Sequence, residues 1–199
     1  MKQARVLSDK ELRKVMLYCA AHKHAARNKS MLLLTHHAGM RVGEVAALRI
    51  ADVVAGDGSI RTEIHLAAEQ TKGSAGRTVL LPQKLRDELQ NYLAARFGNK
   101  DLIAVCYADT QRALFPTQKN PRRGFTANTL CQHFHHLYRA CGLEGASSHS
   151  GRRGFISHLA DRGVAVHILM ALAGHKNLST TQRYISFNPN LMRAAVELI

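Results

Sequence analysis

The spacing of apolar residues predicts a mainly α-helical domain with one small antiparallel β-sheet. Three observations carry that prediction: a capping box opens the first apolar-periodic run, helical spacing returns repeatedly from residue 83 onward, and turn residues with alternation replace it over 52–82. At 199 residues the chain can bury a real core as a single domain, 1–199, and no interdomain linker interrupts it.

In Ser8-Asp9-Lys10-Glu11 the hydroxyl can accept from the third helical amide while the carboxylate reaches back. Leu12, Val15 and Met16 follow at helical spacing, so a first helix is expected over 9–21. A second, over 27–38, ends at Gly39, which suits a left-handed cap. A third begins after Arg41, with Val42, Val45, Ala46 and Leu48 facing a core and Glu44 near its positive end. Gly56, Asp57 and Gly58 then make a turn; residues 60–66 alternate, 77–81 favour strand, and TKGSAG between them is a flexible turn. Pro82 opens a helix to residue 97 with Leu85, Leu89 and Leu93 on one face. The basic loop KNPRRGF covers 119–125. Helices over 129–141, 149–162 and 166–173 follow, with a terminal one after Pro189.

Lysine and arginine number 28 against 14 acidic residues, a formal charge of +14. That excess calls for a polyanionic partner, with nucleic acid first. An anionic membrane is the weaker alternative, because the basic residues are spread along the chain and no basic amphipathic helix or lipidation signal accompanies them. Cys19, Cys106, Cys131 and Cys141 contain no C-x-x-C pair and the N-terminus has no apolar stretch, which points to a reducing cytoplasm. Neither His36-His37 nor the group His133, His135 and His136 has the spacing of a metal-ligand motif, so no metal is expected.

The chemistry-bearing residues come in one order. THHAGMRVGEVAALRIADV supplies Arg41, QTKGSAGRTVLLP supplies Lys72, and SHSGRRGFISHLADRGVAVHILMALAGHKNLSTTQRYIS supplies His149, Arg152, His175 and Tyr184. A phenol can store the energy of a cut phosphodiester in a covalent ester, and guanidinium forks suit phosphate oxygens better than an ammonium does. Taken singly, a tyrosine is more often core and an arginine more often surface. In this order and in these flanks, the chain from residue 7 to 199 resembles the tyrosine recombinase (phage integrase) family.

The resemblance implies the catalytic-domain fold of that family and a site-specific recombinase that cuts and rejoins DNA without metal or cofactor. Tyr184 would attack to give a 3′-phosphotyrosine and a free 5′-hydroxyl. Arg41, Arg152 and His175 would stabilise phosphate charge, and His149 would assist proton transfer at the nucleophile. Lys72 would protonate the leaving oxygen or else position a phosphate. Arg77, Lys119, Arg122, Arg123, Arg153 and Lys176 are candidate DNA contacts, and Asn128, Gln132 and His136 candidate groove readers.

Two positions depart from the family's H-x-L-R-H. Gly151 stands at the apolar third position, where it lowers helix propensity next to Arg152, and Arg153 stands where the last histidine would be. The family's separate N-terminal clamping domain is also missing. The chain is therefore either a fragment or a compact member similar to the fimbrial-switch invertases, and the natural-looking start MKQARVLSDKEL favours the latter. The expected partners are double-stranded DNA with a specific site, accessory DNA-bending proteins and three further copies on DNA, joined through the C-terminal helix; free in solution the chain would be a monomer. Leu191, Ala195, Val196, Leu198 and Ile199 would serve equally in a helix folded back on its own domain. The expected location is a bacterial or phage-infected cytoplasm, at the nucleoid. The alternatives are relaxation of DNA in the manner of a type IB topoisomerase, or a catalytically silent DNA-binding regulator.

Overall fold

The computed structural model describes residues 4–71, 75–98, 101–117, 120, 123–185 and 189–197. Helix α1 (Asp9–Ala20) begins with the expected capping box: the Glu11 amide donates to Ser8 Oγ at 3.3 Å and the Ser8 amide to Glu11 Oε2 at 3.0 Å. Helix α2 (Ala25–His37) is the central element. Its run from Met31 to Leu34 is apolar on every side, and such a helix is stable only when surrounded. It packs against α1, against α5 (Gln83–Phe97) and against α8 (Ser150–Ala160). Gly39 follows with φ +61°, the left-handed cap read from the sequence.

Helices α3 (Val42–Ala47) and α4 (Ile50–Val53) lead to the sheet, β1 (Glu63–Leu66) against β2 (Arg77–Leu80). The pair is antiparallel, in register from Glu63 opposite Leu80 to Leu66 opposite Arg77. The first strand is shorter than the alternation predicts. The Arg61 amide turns away to Val53 O (2.9 Å), and Ile60 makes only an isolated bridge to Val54. Helix α5 buries Leu85, Leu89 and Leu93 as their spacing requires. It is followed by α6 (Leu102–Ala108), then α7 (Ala127–Ala140), which packs on α3. Beyond α8 come α9 (Val166–Ala173), α10 (Leu178–Gln182) and α11 (Pro189–Val196).

Three helices are not anticipated by the sequence: α4, α6 and α10, of four, seven and five residues. Each spans two turns or fewer, too short for an apolar period to register. The terminal helix was open between two partners. From Met192 to Val196 each of its residues is exposed, Met192 at 53% and Val196 at 68%, so this stretch covers no core of its own domain.

The glycine at 151 has a packing reason that outweighs its helix propensity. A Cβ there would stand 2.2 Å from Thr35 Oγ1 and 2.8 Å from the His36 ring, so α8 approaches α2 closely only because the side chain is absent. We expect Gly151→Ala to lower stability by about 1–3 kcal/mol, the usual cost of overpacking, seen as a lower midpoint in thermal circular dichroism. An unchanged midpoint would mean that the two helices can part without cost.

Candidate active site

The site forms where the C-terminus of α9 meets the start of α3 and the start of β2. Helix α9 closes with a Schellman motif: the His175 amide donates to Met170 O (3.0 Å), the Gly174 amide to Ala171 O (3.0 Å), and Gly174 has φ +62°. That leaves the carbonyls of Leu172, Ala173 and Gly174 without helical donors. Each receives an arginine. Arg77 Nη1 donates to Leu172 O (3.1 Å), Arg152 Nη2 to Ala173 O (2.5 Å) and Arg41 Nη2 to Gly174 O (3.4 Å). Gly174 is obligatory here, because a Cβ would lie 2.6 Å from Arg77 Cδ.

Glu44 joins two of these arginines. Its side chain is 1% exposed. Arg41 Nη1 donates to its Oε1 (2.9 Å), Arg77 Nη2 to its Oε2 (2.7 Å) and Arg77 Nε to its Oε1 (3.1 Å). The Arg41 amide completes the set at 2.7 Å, which also caps α3. Burial alone would raise the Glu44 carboxyl, but the bonds and charge of Arg77 and then Arg41 hold it below its ordinary value. Arg152 also donates to Gly39 O (2.6 Å), so it is fixed between the ends of α2 and α9. Burial, with Arg41 and Arg77 nearby, pulls its guanidinium down to about 9, still charged at neutral pH.

His175 sits beside this cluster with Nδ1 2.9 Å from Oγ1 of the buried Thr181. Burial and the charges of Arg152, Arg41 and Arg77 push the imidazole down to about 4. It is therefore neutral at pH 7, and a threonine hydroxyl donating to Nδ1 would leave Nε2–H as a donor. The Tyr184 ring lies nearly parallel to it, centroids 5.7 Å apart and planes at 22°. Arg41, Arg77, His175, Lys176, Thr71 and Thr180 line a pocket of about 460 Å³ at this place.

Of the sequence-predicted residues, Arg41, Arg152, His175 and Tyr184 come together, with Arg152 in electrostatic reach of Tyr184. His149 is the exposed N-cap of α8, its amide donating to Ser147 Oγ at 3.3 Å. Lys72, Lys119 and Arg122 lie outside the described residues. Arg77, expected as a DNA contact, has its guanidinium engaged by Glu44 and Leu172 O. Arg123 is exposed, and Lys176 borders the pocket. Arg153 reaches the Tyr184 ring. Sequence reasoning placed Glu44 only as a helix anchor and passed over Thr181. The spacing of Glu44, three after Arg41, was the available signal for the first; nothing marks the second. The histidine groups do not converge: His36 is buried against the Tyr138 hydroxyl (3.2 Å), His133 bonds Asn28 Oδ1 (3.2 Å), and His135 and His136 are exposed.

A neutral imidazole and three guanidiniums, two of which share one carboxylate, lie next to a phenol and leave a net positive place suited to an anion. The chain belongs to the phage integrase family, whose model matches residues 5–190. It is 27% identical over 191 residues to tyrosine recombinase XerA of Pyrococcus furiosus, covering 96% of this chain and 60% of that protein. With tyrosine recombinase XerD of Rickettsia bellii the identity is 25% over 198 residues, covering 96% and 62%. The chain thus spans about 60% of the length of these curated relatives. The fold matches a crystal structure of XerA recombinase with TM-score 0.73 at 21% identity, over 100% of this chain and 66% of that one. It also matches XerH recombinase bound to its difH substrate, with TM-score 0.68 at 22% identity, over 98% and 54%. These solved chains share the mainly helical domain with its small sheet.

Glu44→Gln leaves two guanidiniums without their buried counter-charge and should cost about 3 kcal/mol, read from urea unfolding. A variant as stable as the parent would show that the carbonyls of α9 suffice. A second expectation concerns pH. Burial pushes His36, His133 and His175 from 6.5 to about 3, about 4 and about 4. The unfolded chain therefore takes up protons that the folded chain refuses. Stability is complete above pH 6.5 and declines as pH falls toward about 4. The urea midpoint should drop between pH 7.5 and 5, with a shallower drop in His175→Gln; a flat profile would contradict neutral buried imidazoles.

Proposed function

We propose that this chain is the catalytic part of a site-specific DNA recombinase that works through a 3′-phosphotyrosine. The observation that carries this reading is the meeting of Arg41, Arg152 and neutral His175 beside Tyr184, within a family match over residues 5–190. The Tyr184 oxygen attacks a backbone phosphorus, the bond from phosphorus to the 5′-oxygen breaks, and the phenolic proton leaves with help from His149. The departing 5′-oxygen takes a proton, supplied by Lys72. A 5′-hydroxyl, from the same or a partner strand, then attacks the phosphotyrosine, releases the phenol and restores the diester. Bond energy is conserved throughout, so no nucleotide is consumed.

Charge builds on the two non-bridging oxygens during both steps. Arg41 and Arg152 answer it with fixed donors, and His175 adds one that carries no charge. DNA affinity comes from the basic surface, with Arg123 and Lys176 and, outside the described residues, Lys119 and Arg122 as phosphate contacts. Asn128, Gln132 and His136 lie four residues apart along the exposed side of α7, which suits a groove-reading face. The structurally similar Tn1549 transposon integrase is solved in complex with transposon right end DNA. The exposed apolar stretch of α11 supports docking onto a neighbouring copy, so that four copies assemble on DNA, accessory DNA-bending proteins assisting. A place in the cytoplasm at the nucleoid accords with this, and among the described residues no helix is long and apolar enough to cross a membrane.

Covalent trapping tests the reading. Wild-type and Tyr184→Phe chains, tagged in the source cell, are denatured rapidly and any DNA still attached is sequenced. DNA held by the wild type alone, with native DNA binding retained by both, is the expected result and also yields the target site. Equal background in both chains would favour a silent DNA-binding regulator.

A further inference from the structure

Arg153, the neighbour of Arg152 on α8, turns to a different object. Its guanidinium carbon lies 5.9 Å from the centroid of the Tyr184 ring. Its Nε is buried with no hydrogen-bond partner among the described residues. A desolvated guanidinium nitrogen is costly, and attraction to the face of an aromatic ring is the compensation this site offers. Ser157, one helical turn further and on the same side of α8, donates from Oγ to the Tyr184 carbonyl at 3.1 Å. His175 contacts the same ring.

We infer that Arg153 and Ser157 form a cradle that docks Tyr184 within its own protomer, with Arg153 as a positioning residue for the nucleophile. The inference rests on the recombinase reading and deepens it. α8 then serves two tasks from adjacent residues: Arg152 is aimed at the phosphate, and Arg153 holds the phenol that attacks it. Holding the ring in one place fixes the direction from which its oxygen attacks. This accounts for an arginine at a position where the chain departs from its family's pattern. The rival is that Arg153 contacts a phosphate of bound DNA.

Arg153→Met keeps the stem and removes the charge, and Arg153→Lys keeps the charge. On the DNA recovered by trapping, built as a nicked duplex, adduct formation at saturating DNA should slow about tenfold in Arg153→Met while affinity stays within about twofold. Arg153→Lys should recover most of the rate. In DNA-free protein, the Arg153 Nε–Hε resonance should carry a ring-current displacement that vanishes in Tyr184→Leu. Weaker binding with a smaller salt slope and an unchanged saturated rate would assign Arg153 to phosphate and overturn the proposal. So would a resonance indifferent to Tyr184→Leu. If the wild type forms no Tyr184-dependent adduct, the recombinase reading falls, and the resonance alone decides for or against the cradle.

Discussion

The C-terminus of α9 is the constraint on which the site depends. Three guanidiniums gathered in one place repel one another, by about 3–4 kcal/mol for each pair a few ångströms apart at an effective dielectric near 20. Consecutive carbonyls at the negative end of a helix dipole answer that repulsion. Leu172, Ala173 and Gly174 accept from Arg77, Arg152 and Arg41, and Glu44 adds the only carboxylate bonded to the cluster among the described residues. The compensation is partial. Positive charge remains in excess, and it favours binding of an anion.

Two glycines make that geometry possible by what they lack. Gly174 lets the chain turn left-handed after α9 and leaves room for the Arg77 side chain. Gly151 lets α8 lie against Thr35 and His36 of α2, which brings Arg152 to the Gly39 carbonyl. Each sits beside an arginine that it helps to place. The core supports this from below, since the buried run of α2 is shared by α1, α5 and α8.

Charge is distributed with a division of labour. Arg41, Arg77 and Arg152 are held by protein acceptors and cannot roam. Lys176 is exposed at the border of the pocket, and Arg123 is exposed in the segment before α7. Fixed cations discriminate between the ground state and a more charged transition state, because they need no reorganisation as charge develops, whereas exposed ones supply salt-dependent affinity.

Helices with several turns of apolar spacing were legible in the sequence, as were the capping box at Ser8, the cap at Gly39 and the two-strand segment. The sequence also marked Arg41, Arg152, His175 and Tyr184, which the fold brings together, because each stands in a recognisable flank of the family's order. Residue order carries no information about who bonds whom across space. That Arg77 is engaged by Glu44 rather than exposed, that Thr181 orients His175, and that Arg153 meets the Tyr184 ring are long-range or through-space facts. The short helices α4, α6 and α10, of four, seven and five residues, belong with them, because helices this short gain their stability from what they pack against. The sequence determined the family and the set of candidate site residues. The tertiary structure decided which charges are spent on the protein itself and which are left for a ligand, because that depends on where a helix ends and which carbonyls it leaves unpaired.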